Sequence, residues 1–320
     1  MAITPEQVMT AFRMVLGREP APERAALIAE EIDTEQQLHN YMMKLPETKR
    51  RARIMDIMSF VYGPTEKQNL TNEKQMDAWL NVGEAMHSRI KSVVSAPDDE
   101  YSIFHRNRFY DQCRALAAIK TKHFPTLPKI NVLDIGVMAV SLMYQESVEG
   151  LELFTCDHPR RVEHIEKFGS PNFYPVDLEN EDIGERYPET IGKFHAILFC
   201  EVLEHLRVTP SEILTDLRRL LAKDGAIYLT TPNGIGYGAM LAIFERKSPS
   251  AVYSRKDAER ERGGHIHVRE HSEREMLEWI TEAGLKVRHR AIKEYYHPDS
   301  IWPSSFIGAG SVLTFVLEAA

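Results

Sequence analysis

Two carboxylates and an imidazole stand within five residues in the segment EVLEH, residues 201–205. The segment follows an apolar run, Phe194 to Cys200, which predicts a buried strand, so the polar side chains come where that strand ends. Burying such groups is costly unless they serve a purpose, and an imidazole exchanges protons near neutral pH. The segment therefore predicts either a site of acid and base chemistry or a packed structural turn.

A second imidazole group lies further along, in the segment HIHVREHS, residues 265–272. Ser272 is placed to cap a helix that runs to Ala283 and ends at Gly284. Because this segment precedes the last core helix, we expect it to return beside EVLEH. Residues three and four apart share one face of a helical turn. The spacing thus predicts one cluster, made of Glu201, Glu204, His205 and His267.

Two further strands are predicted to position a ligand beside this cluster. The run Ile130 to Ile135 contains Asp134 and is followed at once by Gly136, and the run Leu151 to Cys156 ends at Asp157. A strand, a glycine turn, a helix, a second strand and an acid form the layout of a nucleotide site. The acid after the second strand can accept hydrogen bonds from ribose hydroxyls.

These motifs together resemble the class I S-adenosylmethionine-dependent methyltransferases. The family's first turn reads D/E-x-G-x-G-x-G; here Asp134 and Gly136 match, while Met138 and Val140 replace the later glycines. EVLEH resembles the E/D-x-L-E-H element of small-molecule and quinone O-methyltransferases. The resemblance implies an α/β fold, a Rossmann-like sheet of seven strands whose last strand is antiparallel, with an N-terminal all-helical domain. It also implies S-adenosyl-L-methionine as the cofactor.

The resemblance assigns cofactor contacts residue by residue. In the family, an acid after the third strand accepts a hydrogen bond from the adenine amino group, and a helix before the first strand closes over the methionine carboxylate. The cofactor-binding residues that it implies are Asp134, Gly136, Asp157, Asp177, Leu178, Glu201 and Arg106, with Arg108 as an alternative to Arg106. Two other interpretations stay open: Asp177 is a turn residue that caps the next helix, a role that Asp182 could also fill, and the two arginines form a solvated basic face.

The catalytic residues implied are His205 or His267 as the base, together with Glu204. A subset of the family, including small-RNA 2′-O-methyltransferases, has E-x-x-E-H and a later histidine that hold Mg²⁺ or Mn²⁺. Glu201, Glu204, His205 and His267 match that set. The same motif occurs in members that need no metal, where these residues form hydrogen bonds instead, so both mechanisms remain open.

Three regions are predicted along the chain. Residues 1–62 form a helical domain, 63–98 a connecting helix and linker, and 99–320 the methyltransferase domain. The phrase AFRMVLGREPAPE, residues 11–23, resembles a short LGREP-type helical domain that occurs in bacteria beside carbohydrate-processing proteins. We interpret this domain as a module for protein docking or self-association. Glu73 to Val94 is predicted to be one long helix, with Gly83 inside it.

The composition of the chain argues against some classes of partner and location. The net charge of −8 argues against nucleic acid as a partner, and no run reads as a signal peptide or as a membrane span. Three cysteines, an odd number, indicate free thiols in the reducing cytoplasm. The leading hypothesis is methyl transfer to an oxygen of a small molecule or glycan. The alternative is a catalytically inactive Rossmann-like scaffold, favoured by the incomplete glycine loop.

Overall fold

The computed structural model describes residues 3–16, 20–49, 71–136, 141–163, 172–236, 267–293 and 312–320, with a few single residues between 239 and 295. Met138 and Val140 lie outside the described residues, and so do residues 50–70, where the predicted helical domain ends and the predicted linker begins. No helix in these ranges is long and apolar enough to cross a membrane.

A seven-stranded sheet forms the centre of the fold, in the order β3-β2-β1-β4-β5-β7-β6. Strands β1 to β5 are parallel to one another, and β7 is antiparallel to both β5 and β6. The predicted Rossmann-like sheet with its antiparallel last strand is confirmed. The strands are β1 Ile130–Ile135, β2 Leu151–Asp157, β3 Phe173–Pro175, β4 Phe194–Cys200, β5 Leu221–Pro232, β6 Leu285–Lys293 and β7 Val312–Ala319.

Helices stand at the N-terminus and on both sides of the sheet. The described helices are α1 Pro5–Leu16, α2 Pro22–Glu31, α3 Glu35–Lys44, a helical stretch at 71–79, α4 Glu84–Val94, α5 Glu100–His123, α6 Ser141–Ser147, α7 Ile183–Arg186, α8 Pro210–Leu220 and α9 Glu273–Glu282. Thr34 and Ser272 each form a capping box with the glutamine or glutamate three residues later, at the starts of α3 and α9.

Successive side chains along each strand point to opposite faces of the sheet and pack into two separate cores. Val132 and Leu198 pack with α4, α5 and α6 on one face, whereas Leu133 and Phe199 pack with α8 and α9 on the other. Side chains therefore alternate between the two faces of the sheet, and both faces are buried. This is typical of a parallel sheet that is covered by helices on both sides. The carboxyl ends of β1, β2 and β4 therefore open at one edge between the two helical layers.

One local prediction was wrong. The long helix predicted from Glu73 to Val94 is broken after residue 79, because Gly83 has a φ of +83° and stands at the start of α4.

A buried ionic network links α5 to two other segments of the chain. The carboxylate of Asp111 accepts hydrogen bonds from Arg114 at 2.9 Å, from Lys293 at 2.7 Å and from the hydroxyl of Tyr295 at 2.9 Å. Lys293 also donates to Asp77, in the helical stretch 71–79, at 2.9 Å. Burial lowers the pKa of Lys293, but the two aspartates outweigh burial and raise it. The network therefore joins three chain segments around Lys293, whose charged form it favours.

Candidate functional site

The turn after β1 is shaped by its glycine. Gly136 has a φ of +84°, and a Cβ at this position would stand 2.5 Å from Cγ2 of Val202. The glycine thus permits the EVLEH segment to pack directly on the end of β1. Asp134, just before it, is buried and accepts a hydrogen bond from the hydroxyl of Ser141 at the start of α6. Burial raises the pKa of Asp134 to about 7; the bond from Ser141 opposes this rise, and the charge of Asp157 adds to it.

Glu201 leaves β4 in an unusual conformation and meets an arginine. Its φ is +56°, a region that non-glycine residues rarely adopt and that occurs most often at functional sites. Its Oε2 lies 3.1 Å from Nη1 of Arg108 on α5, and both side chains are nearly buried, with exposed fractions of 12% and 7%. Its Oε1 is buried and has no hydrogen-bond partner in the described structure. An oxygen in this state can accept a bond from a ligand.

Glu204 is fully buried and faces the two imidazoles. Its Oε2 accepts a hydrogen bond from the hydroxyl of Thr231 at 3.1 Å. Its Oε1 lies 3.8 Å from Nε2 of His205 and 3.9 Å from Nε2 of His267. Burial, and after it the charge of Glu201, raises the pKa of Glu204 well above its usual value.

The segment 267–271 returns to this turn and is bonded to it through its backbone. The amides of Val268 and Arg269 both donate to the carbonyl oxygen of Glu204, at 2.7 and 3.2 Å. The rings of His205 and His267 have centroids 5.0 Å apart. His271 is buried against Trp279, and burial lowers its pKa to about 4. It therefore packs as a neutral ring.

The aspartates at the ends of β2 and β3 bond to residues that are close to them in the chain. Asp157 accepts from the amide of His158 at 2.6 Å and pairs with Arg161 at 2.9 Å. Asp177 accepts from the amide of Glu179 at 3.1 Å and from the side chain of Asn180 at 2.9 Å. Asp177 thus makes the contacts of a turn residue, whereas the next helix, α7, is capped by Asp182. Each carboxylate oxygen can accept more than one bond, so these contacts leave the predicted roles in ligand binding open.

The structure brings together three of the four residues of the predicted cluster, namely Glu204, His205 and His267. Glu201, three residues before Glu204 in the chain, pairs with Arg108 instead. Arg106 lies two residues before Arg108, about 200° around α5 at 100° per residue, and so on a different face. Leu178 packs at the edge of the core beneath α8 and α9. The roles of these residues remain predictions.

Two contributors were missed by sequence reasoning. Thr231, whose hydroxyl bonds Glu204, lies in the phrase TTPN and gave no signal of its own. Glu270 accepts from, or pairs with, Nδ1 of His267 at 2.9 Å. Its spacing of three residues from His267 was a signal that could have been used.

Comparison with known proteins identifies the family. Residues 104–290, more than half of the chain, match the family model described as "Methyltransferase domain". The chain belongs to the class I S-adenosylmethionine-dependent methyltransferase family. The matched range includes the whole of β1 to β5, the EVLEH turn and segment 267–271 of this methyltransferase. No curated protein matches the chain.

Solved structures similar to the methyltransferase are remote in sequence. DszA carbon methyltransferase is 14% identical, with 93% of this chain and 78% of that one covered and a TM-score of 0.44. CurJ carbon methyltransferase is 12% identical, with 89% and 84% covered and a TM-score of 0.45. The mitomycin 7-O-methyltransferase MmcR is 14% identical, with 71% and 62% covered and a TM-score of 0.36. These likenesses carry no argument about the acceptor.

Proposed function

We propose that this methyltransferase moves a methyl group from S-adenosylmethionine to an oxygen of a small molecule or glycan. The observation that carries the proposal is the convergence of Glu204, His205 and His267 at the carboxyl edge of the sheet, directly beside the turn after β1. Ligands of open α/β sheets bind at this edge. The glycan alternative rests on the resemblance of residues 11–23 alone.

The buried groups fit a cofactor that carries positive charge. Asp134, Asp157, Glu201 and Glu204 lie at this edge, where Arg108 pairs with Glu201. The buried Oε1 of Glu201 suits an ammonium group, and Asp157 suits ribose hydroxyls. When bound, S-adenosylmethionine supplies the methyl group in electrophilic form. The contribution of the protein is to orient the two reactants and to exclude water.

An oxygen acceptor requires a group that removes its proton. The two imidazoles suit this task, because an ordinary histidine is largely neutral at pH 7 and can accept a proton. Glu204 faces both rings, and burial raises its pKa well above the usual value. We assign His205 or His267 as the base, with Glu204 as the buried carboxyl group beside them.

A second candidate is a metal-assisted enzyme, because one ligand atom from each of Glu204, His205 and His267 lies within 4.8 Å of the others. A carboxylate with two imidazoles suits Mn²⁺ better than Mg²⁺, which prefers oxygen ligands. Glu201, the fourth predicted ligand, lies outside this group of three. A bound cation would supply a positive charge that lowers the pKa of the acceptor hydroxyl.

We predict that Asp157→Ala weakens the binding of S-adenosylhomocysteine about 5- to 150-fold. This range corresponds to about 1–3 kcal/mol, the cost of leaving hydroxyl groups without a partner in a buried site. Isothermal titration calorimetry is the measurement. Glu152→Ala is the matched control, because Glu152 lies on the same strand in an exposed pair with Lys129. Unchanged affinity in Asp157→Ala contradicts this assignment, and no binding by the parent protein favours the scaffold alternative.

We also propose that the N-terminal helical domain is separable and serves docking or self-association. The described core of α1, α2 and α3 consists of residues 3–45, such as Phe12, Ile28 and Met42. By contrast, Trp79, Leu80 and other residues of the predicted linker 63–98 are buried in the same core as the sheet. The division that we propose therefore places the separable part before residue 71.

Deleting residues 1–49 is expected to leave cofactor affinity within about twofold of the parent, since every assigned contact lies after residue 100. Calorimetry with S-adenosylhomocysteine on the purified fragment is the check, and light scattering before and after deletion reports self-association. A folded fragment that no longer binds would show that the domain contributes to the cofactor site.

A further inference from the structure

We infer that Glu270 is a positioning residue, which holds His267 in the tautomer whose Nδ1 carries the proton and whose Nε2 carries the lone pair that can accept one. The catalytic meaning of this inference rests on the proposed function, in which His267 is a candidate base. The tautomer itself is a property of the folded chain and does not depend on the acceptor.

The two nitrogens of His267 face different groups. Nδ1 lies 2.9 Å from Oε1 of Glu270, and Nε2 points the other way, 3.9 Å from Oε1 of Glu204. An ionised carboxylate only accepts hydrogen bonds, so a hydrogen bond at 2.9 Å requires the proton on Nδ1. In the neutral ring, Nε2 then carries the lone pair. That lone pair is on the side of the ring that faces Glu204.

The backbone around Glu270 is held in place from two directions. A Cβ on Gly234 would stand 2.9 Å from the carbonyl carbon and oxygen of Glu270, so the turn after β5 packs directly on this peptide. The amide of Gly234 donates to the carbonyl of His271 at 2.9 Å. On the other side, the amides of Val268 and Arg269 bond Glu204, as described above. These contacts fix the backbone of Glu270 relative to the ends of both β4 and β5.

The contact with Glu270 orients the ring of a histidine that is only partly buried. The side chain of His267 is 39% exposed, so packing alone does not fix its ring. A carboxylate on Nδ1 supplies both the orientation and the tautomer, and this is the usual way in which a base is prepared. The same contact serves if the Nε2 lone pair binds a cation instead.

The test is the tautomer of His267 by ¹⁵N nuclear magnetic resonance of histidine-labelled full-length protein at pH 8. An ordinary imidazole, with a pKa of about 6.5, is neutral there. The signals of His267 are assigned by their loss in His267→Gln. In the parent we expect the pattern of a protonated Nδ1 and an unprotonated Nε2. In Glu270→Leu and in Glu270→Ala we expect the proton to move to Nε2.

Glu278→Leu is the control, because Glu278 lies on α9 in an exposed pair with Arg274 and should leave the His267 signals unchanged. The same tautomer in both Glu270 variants as in the parent overturns the inference, as does an unprotonated Nδ1 in the parent. Glu270 is 37% exposed, so its variants are expected to fold, and two side chains of different size guard against failure of one. Because neither cofactor nor acceptor enters this experiment, its failure is distinct from failure of the proposed function, which calorimetry tests.

Discussion

Asp111→Ala is expected to lower the free energy of unfolding by about 3–5 kcal/mol, the usual cost of breaking a buried ion pair by removing one partner. The carboxylate of Asp111 receives bonds from Arg114, Lys293 and Tyr295, and it is 5% exposed. Its loss leaves the buried ammonium of Lys293 with Asp77 alone among these bonds. Urea denaturation of the cofactor-free protein, followed by circular dichroism, is the measurement.

The charge left behind, rather than the lost contact, should dominate this cost. Adding Lys293→Met to Asp111→Ala is therefore expected to recover part of the loss, because the double variant buries no uncompensated ammonium. Glu149→Ala is the matched control; it breaks an ion pair with Arg89 that is largely exposed, and should cost less than about 1 kcal/mol. A loss below about 1 kcal/mol in Asp111→Ala itself would show that the network does not hold α5.

The ordered core of the fold was predictable from local pattern. Ile130–Ile135 and Phe194–Cys200 were predicted with the bounds that the structure has, because apolar, mostly β-branched or aromatic runs ending at an acid, glycine or polar turn allow few other structures. The return of segment 267–271 to the EVLEH turn was also predictable. It followed from chain order, since the segment leads directly into the last core helix.

Pairings between distant residues were not predictable from one sequence. Asp111 and Lys293 are 182 residues apart, and nothing local to either residue names the other. Arg108 was considered as a partner for the cofactor, whereas the structure pairs it with Glu201. Gly83 shows a different limit: a glycine tolerated inside a helix and a glycine that starts one look alike in sequence, and only its positive φ distinguishes them.

His267→Ala is expected to lower kcat about 10²- to 10⁴-fold, the usual contribution of a group that removes a proton in the transition state. Its affinity for S-adenosylhomocysteine should stay within about twofold, because His267 lies on the Glu204 side of the turn and not among the residues assigned to the cofactor. The assay requires an acceptor, which transfer of tritium from labelled S-adenosylmethionine to fractionated small molecules and glycans can identify. His39→Ala, an exposed position on α3, is the control and should retain full activity.

The same assay separates a base from a cation site, because the two predict different responses to a chelator. If His205 and His267 act directly, activity persists in excess chelator while His267→Ala remains impaired. If Glu204, His205 and His267 hold a cation, chelation abolishes activity in the parent, and Mn²⁺ restores it. In that case Mn²⁺ should not restore the activity of Glu204→Ala, since one of the three ligand atoms is gone. Full activity in both Glu204→Ala and His267→Ala would remove this cluster from the mechanism altogether.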